Sequence, residues 1–264
     1  MTIDGKAIAE DLYKELSARM PGLPHTPRLG IVVAGDDRVT NSFVNIKTGV
    51  AQRLGVEMKR IDIAKDATTE DVLTAVRAIA SEVDGIIVQL PLPKTVDVNA
   101  ALSAIPDDKD VDGISTATGD HAVAAPVALA IVEILRRSGI DPNGRKAVVV
   151  GAGRLVGAPT AQLLKKLGAD VSLFTLEQGS IGDLKDADIV VCGAGTPGFI
   201  KPEHVKNGVA LVDAGASEQG GKVVGDCDPA CAEVASVFTP VPGGVGPVAV
   251  AMIFKNLFDL MKKK

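Results

Sequence analysis

The sequence predicts an α/β protein made of two α/β domains. Three observations carry this. Strand-like and helix-like segments alternate along the chain, as in βαβ units. The alternation restarts near residues 125–140, where an apolar run leads into a glycine-rich turn. Apolar residues make up 46% of the chain and aromatics only 3%, so the core is built from Val, Ile, Leu and Ala, the material of layered α/β folds. A length of 264 residues suits one large domain or two modest ones, and the restart favours two. The expected extents are 1–128, joined by a C-terminal helix 245–264, and 129–244.

The elements follow in order. Ile8, Leu12 and Leu16 fall at helical spacing within 3–20. RLGIVV (28–33) reads as a strand, 40–54 as a helix and 56–63 as a second strand. Thr68 followed by Asp71 marks a helix start, with Val72, Val76 and Ile79 as its buried stripe. GIIVQ (85–89) is a continuous apolar run, the pattern of a strand covered on both faces. Pro126 opens a helix that runs to residue 137 and ends at Gly139. Strands are expected at 147–150, 170–174, 189–192 and 209–213, with a helical run at 160–167. A last helix starts near Pro247 and runs to Met261, with Val250, Ile253, Leu257 and Leu260 on one face.

Charge and composition exclude several classes. The net charge is −5 and no long basic run exists, so Lys262, Lys263 and Lys264 read as a solvated tail and no nucleic-acid partner is expected. No apolar stretch is long enough to span a bilayer and no apolar leader opens the chain, so no membrane association is expected. Cys192, Cys227 and Cys231 make neither a disulfide framework nor a zinc site, which points to buried thiols in a reducing cytoplasm and to no metal. His25, His121 and His204 are scattered and take no role.

The clearest motif is Gly151-Ala152-Gly153-Arg154-Leu155-Val156-Gly157, after an apolar strand and before a helix. That is the context of a dinucleotide site: Gly151 allows the sharp turn, Gly153 lets backbone N–H groups approach a pyrophosphate, and the helix N-terminus adds positive charge. The third glycine comes one residue later than in the commonest form.

Four further segments are open to two readings each. Phe43, Lys47, Val50 and Leu54 fall at i, i+4, i+7 and i+11, which puts a lysine in the apolar stripe of its helix. It is either a snorkelling lysine at a core edge or a desolvated amine suited to acid–base chemistry. Gln89 follows a buried strand, where it either caps local backbone or points into a cleft at the strand's carboxyl end. Asp108, Asp110 and Asp112 with Gly113 are either a solvated turn or a carboxylate site. The proline- and glycine-rich run 239–247 is either a helix lead-in or a close backbone approach to a ligand.

Together GIIVQLPLP (85–93), DDKDVDGIS (107–115), VVVGAGRLVGAP (148–159) and TPVPGGVGPVAVAM (239–252) resemble the bifunctional methylenetetrahydrofolate dehydrogenase/methenyltetrahydrofolate cyclohydrolase family over nearly the whole length. The resemblance implies a folate domain and a Rossmann-type dinucleotide domain with a cleft between them, usually in a homodimer. It implies oxidation of methylenetetrahydrofolate by a nicotinamide dinucleotide, then hydrolysis of the methenyl product to formyltetrahydrofolate. Lys47 matches the active-site lysine, Gln89 the glutamine that hydrogen-bonds it, and Asp112 the aspartate that holds the pterin. Phe43 stands where a tyrosine stacks on the folate, and Pro242, Gly243 and Gly244 belong to the loop lining the substrate and nicotinamide site.

The chain departs from the pattern at several places. Phe43 lacks the tyrosine hydroxyl, and Ala125-Pro126-Val127-Ala128 replaces the usual Thr-Pro-x-Gly. Gly151-Ala152-Gly153 replaces Gly-Arg-Ser, and Thr175-Leu176 replaces His-Ser. The family uses that Arg and Ser to hold the extra phosphate of NADP. With Glu177 placed to meet an adenosine ribose, NAD is therefore expected, NADP being the alternative. The alternatives to the bifunctional enzyme are a dehydrogenase with weak or no cyclohydrolase activity and a non-catalytic folate- or nucleotide-binding homologue.

Overall fold

The computed structural model describes residues 1–35, 37–114, 123–175 and 179–262. The chain divides into two compact units, Met1–Asp11 with Val127–Met252, and Leu12–Pro126 with Ile253–Lys264.

In the second of these, β1 (Arg28–Ala34) lies between β2 (Glu57–Ile63) and β3 (Gly85–Val88), all parallel. Each crossover is helical: α2 (Arg38–Leu54) joins β1 to β2, and α3 (Thr69–Ala80) joins β2 to β3. The expected capping box opens α3, with the Thr68 side chain accepting from Asp71 N–H and the Asp71 carboxylate accepting from Thr68 N–H at 2.7 Å. Every residue of β3 is buried, as its unbroken apolar run requires. Val72, Val76 and Ile79 of α3 pack on Val32, Ile86 and Val88 in one core cluster, each such side chain contributing about 1.5–3 kcal/mol of burial. A short helix, α4 (Val98–Ser103), was not expected from the sequence.

In the first unit, α5 (Pro126–Arg137) precedes a five-stranded parallel sheet. Its strands are β4 (Lys146–Val150), β5 (Asp170–Phe174), β6 (Ile189–Cys192), β7 (Ala210–Asp213) and β10 (Val237–Phe238), in the order β10-β7-β6-β4-β5. This is a doubly wound order with its switch point between β4 and β6. α6 (Gly157–Lys166) links β4 to β5, and a separate hairpin pairs β8 (Ser217–Gln219) with β9 (Lys222–Val224). Val148, Val150, Val190 and Leu211 anchor the core of this unit.

The division differs from the expected extents at the N-terminal segment and at 245–252, which group with the five-stranded sheet. The reason is local pairing: Thr2 bridges Phe238, Ile3 N–H donates to Phe238 O at 2.8 Å, and Gly5 N–H, opening α1 (Gly5–Arg19), donates to Gly243 O at 3.0 Å. The last helix, α7 (Val245–Lys262), starts two residues before the expected Pro247. Val250 is only half-buried, whereas Ile253, Phe254, Leu257 and Phe258 are buried. Among the described residues no helix is long and apolar enough to cross a membrane.

Candidate functional site

The three-stranded unit brings Lys47, Gln89 and Asp112 together. The buried stripe of α2 is Thr40, Val44, Ala51 and Leu54, so the face is rotated from the expected one. Phe43 lies off that stripe at 47% exposure, and Lys47 sits at its border, half-buried. Val44 and Ala51, 1% and 0% exposed, take the buried face in place of Phe43 and Val50. Lys47 does not snorkel: its Nζ donates to Gln89 Oε1 at 2.7 Å.

Gln89 follows β3 directly, its N–H donating to Val32 O at 2.9 Å and so extending the ladder by one residue. Its side-chain Nε2 donates to Leu90 O at 2.7 Å, which fixes the amide with its oxygen toward the lysine. Asp112 is presented by a turn folded around Asp110, whose Oδ1 accepts from Asp112 N–H at 3.1 Å and Gly113 N–H at 3.0 Å. Lys109 anchors the same turn to the end of α3, its Nζ donating to Val83 O at 2.8 Å and to Ala80 O.

Burial sets the electrostatics. It lowers the pKa of Lys47, against the opposing pull of the Asp112 carboxylate. It raises that of Asp112 to about 7, with Lys47 opposing and the Asp110 charge adding to the rise. Burial thus favours the neutral form of both groups, an amine that can take up a proton and a carboxyl that can give one.

The five-stranded unit carries a cleft of about 360 Å³ at the carboxyl ends of β4, β5 and β6, across the switch point. Val150, Gly151 and Ala152 line it from the expected fingerprint, Thr175 from the end of β5, and Gly193, Ala194 and Thr196 from the loop after β6. Gly151 has φ of +95°, and a Cβ on Gly157 would fall 1.9 Å from Gly151 O, so the late third glycine lets the helix start against the turn. Around Gly153 a Cβ would meet nothing within 4 Å, which leaves room for a phosphate beside the N-terminus of α6. Glycine turn, open flank and switch-point cleft together fit a dinucleotide.

Arg154, Leu155 and Val156 continue the turn into α6, Arg154 and Leu155 exposed. Leu176 and Glu177 lie outside the described residues. Pro242, Gly243 and Gly244 lie ahead of α7 in this same unit and do not line the cleft. The sequence reading passed over the loop Gly193-Ala194-Gly195-Thr196, although a glycine-rich run directly after an apolar strand is the signal that marked 151–157.

Two family models match the chain: the tetrahydrofolate dehydrogenase/cyclohydrolase catalytic domain over residues 3–112, and the NAD(P)-binding domain of the same enzymes over 125–264. The bifunctional protein FolD of Halothermothrix orenii is 39% identical over 98% of this chain and 97% of its own length. The crystal structure of the bifunctional FolD enzyme from Campylobacter jejuni superposes with a TM-score of 0.94 at 28% identity, covering 100% of this chain and 99% of that one. The Trypanosoma brucei methylenetetrahydrofolate dehydrogenase-cyclohydrolase, solved in complex with NADP cofactor and inhibitor, gives a TM-score of 0.92 at 31% identity, with 100% and 97% covered. With both domain models matched in order and relatives aligned end to end, the chain belongs to the tetrahydrofolate dehydrogenase/cyclohydrolase family.

Proposed function

We infer that the protein is a bifunctional enzyme, oxidising methylenetetrahydrofolate to methenyltetrahydrofolate with a nicotinamide dinucleotide and hydrolysing that product to formyltetrahydrofolate. Full-length membership of the family supports both activities. The observation that carries the chemistry is the Lys47–Gln89 hydrogen bond, which turns a helix-face lysine into a held, desolvated amine.

Asp112 accepts from the amide and amino edge of the pterin, as a carboxylate facing two donors does. The Phe43 ring covers the folate. When bound, the dinucleotide accepts the hydride released by the methylene carbon, and the chain contributes mainly the positioning of the two rings. In the hydrolysis a water adds to the methenyl carbon and its proton passes to Lys47 Nζ. The bond to one folate nitrogen then breaks, and that nitrogen takes a proton back. The cationic substrate beside the amine lowers its pKa further, which favours the unprotonated amine that can accept the proton. Gln89 orients the amine without adding charge, and Pro242, Gly243 and Gly244, which lie off the cleft that takes the pyrophosphate, meet the nicotinamide end of the dinucleotide.

Gly151, Ala152, Gly153, Arg154, Leu155 and Val156 hold the dinucleotide's pyrophosphate, and Glu177 its adenosine ribose. NAD is the preferred form: Ala152 and Leu176 stand where the family holds the extra phosphate of NADP, and Glu177 repels it. The enzyme works as a homodimer in the cytoplasm, in keeping with its three unpaired thiols. A spectrophotometric assay with methylenetetrahydrofolate and each nicotinamide dinucleotide tests the assignment. Reduction of NAD followed by decay of the methenyl absorbance is expected. Tighter NADP binding defeats the cofactor preference, and no turnover with either defeats the function.

A further inference from the structure

Behind the dinucleotide cleft lie two carboxylates that the folate chemistry does not use, Asp213 at the end of β7 and Asp226, which are 1% and 0% exposed. Glycines make the room for both. A Cβ on Gly215 would lie 2.4 Å from Asp226 Cγ, and one on Gly225 would lie 2.1 Å from Asp213 Oδ2. Such a cavity for a buried charge is costly unless the charge is fully hydrogen-bonded.

The bonds converge on one loop. Asp226 Oδ2 accepts from Ala194 N–H at 2.7 Å and Gly195 N–H at 3.1 Å, and Oδ1 accepts from Thr196 N–H at 2.8 Å. Asp213 holds the Asp226 segment from the other side, with Oδ1 accepting from Gly215 N–H at 2.9 Å and Asp226 N–H at 3.2 Å, and Oδ2 from Cys227 N–H at 2.8 Å. Thr239, 0% exposed, fixes Asp213 in turn: its Oγ1 accepts from Asp213 N–H at 2.6 Å and donates to Asp213 O at 3.1 Å.

Three successive N–H groups turned to one side form a nest that draws an anion. Here Asp226 fills that nest from behind, while Ala194 and Thr196 line the cleft in front. The loop therefore offers the cleft its side chains and carbonyls, and its shape is dictated by a carboxylate that never reaches the ligand.

We propose that Asp226, held by Asp213 and Thr239, is a positioning residue for dinucleotide binding, fixing the 194–196 loop in the form the cleft requires. The inference rests on the reading of this cleft as the dinucleotide site. An asparagine keeps the size of the side chain but offers one acceptor oxygen, and its NH₂ group faces an N–H donor. Neither a shortened nor a lengthened side chain meets all three donors.

The test uses the full chain and two activities that depend on the cleft differently, since hydrolysis of methenyltetrahydrofolate needs no dinucleotide. Asp226→Asn is expected to raise the NAD dissociation constant and its KM in the dehydrogenase assay at least tenfold. Hydrolysis of methenyltetrahydrofolate stays within twofold of the parent. A role in stability alone would lower both activities together, and that result overturns the proposal. Gly153→Val, which places a side chain in the open flank of the fingerprint, separates the two readings. If it leaves NAD affinity unchanged, the cleft is not the dinucleotide site. If it abolishes NAD binding while Asp226→Asn stays within twofold of the parent, the positioning role is wrong. Should Asp226→Asn fail to fold, Thr239→Val removes the hydroxyl that steadies Asp213 at nearly constant volume. It is expected to raise the NAD dissociation constant three- to fivefold with hydrolysis retained, and an unchanged constant overturns the proposal.

Discussion

Lys47 and Gln89 are joined by a 2.7 Å hydrogen bond in which the acceptor is itself immobilised, because the far end of the amide is tied to Leu90 O. The lysine therefore meets an oxygen of fixed direction and no net charge. A carboxylate in that place would hold the ammonium form, while the amide leaves the amine free to lose its proton.

Replacing the amine tests its part in hydrolysis. Lys47→Met keeps the length and apolar stem, so packing on α2 is preserved. Single-turnover assays should show hydrolysis of the methenyl cation nearly lost and hydride transfer reduced by no more than about tenfold, ~1.4 kcal/mol in barrier. Equal loss in both steps would mean that Lys47 only positions the folate.

The neutrality of Gln89 makes a second prediction. Gln89→Glu puts a negative charge within hydrogen-bond reach of Nζ and raises the lysine pKa. The base must be neutral to act, so the rising limb of the hydrolysis pH profile should move to higher pH by at least one unit. A profile that does not move would remove Lys47 as the group that titrates.

Asp112 links stability to pH. Its carboxyl binds a proton more tightly in the folded chain, with a pKa of about 7 against an ordinary 3.8. Its contribution to stability is thus full below pH 3.8 and is lost as the pH climbs through about 7. Asp112→Asn removes the desolvated charge and should exceed the parent in thermal stability at pH 8. The gain is about 1 kcal/mol, after discounting the full shift for partial solvent access. Near pH 5 the gap should shrink. Folate affinity should fall sharply while NAD affinity holds, and titration calorimetry with each ligand would expose an error in either half.

Phe43 supplies the fourth. Phe43 is 47% exposed, so Phe43→Tyr should change stability by less than about 0.5 kcal/mol. One helical turn from Lys47, the new hydroxyl can take part in proton relay, and hydrolysis should quicken several-fold with hydride transfer unchanged. A slower hydrolysis would show that the phenyl ring is itself the better fit.

The sequence made legible those features whose cause is local. The unbroken apolar runs gave β3 and β6, the Thr68–Asp71 pair gave the start of α3, and Gly151 to Gly157 gave the turn into α6. The misses have physical reasons. Six residues are too few for α4 to show a period, and β10 owes its two residues to pairing with β7. The β8–β9 hairpin carried its own signal, Gly220-Gly221 at φ of +60° and +76° between Gln219 and Lys222, but its strands are too polar to announce themselves. Lys47 was placed on a stripe that packing rotates toward Val44. The Asp226 cradle lay beyond any pattern, because its partners stand 30 to 32 residues away.

The outer flank of β10 has a consequence for handling the protein. Residues 1–3 lie along that strand, with Ile3 N–H donating to Phe238 O at 2.8 Å and Phe238 N–H donating to Met1 O at 2.9 Å. They act as a selvedge on the five-stranded sheet, occupying main-chain groups that would otherwise invite a foreign strand. Trimming them, or forcing a bulky fusion into their place, would leave a raw margin on which copies could stitch together, so a purification handle belongs at the other terminus.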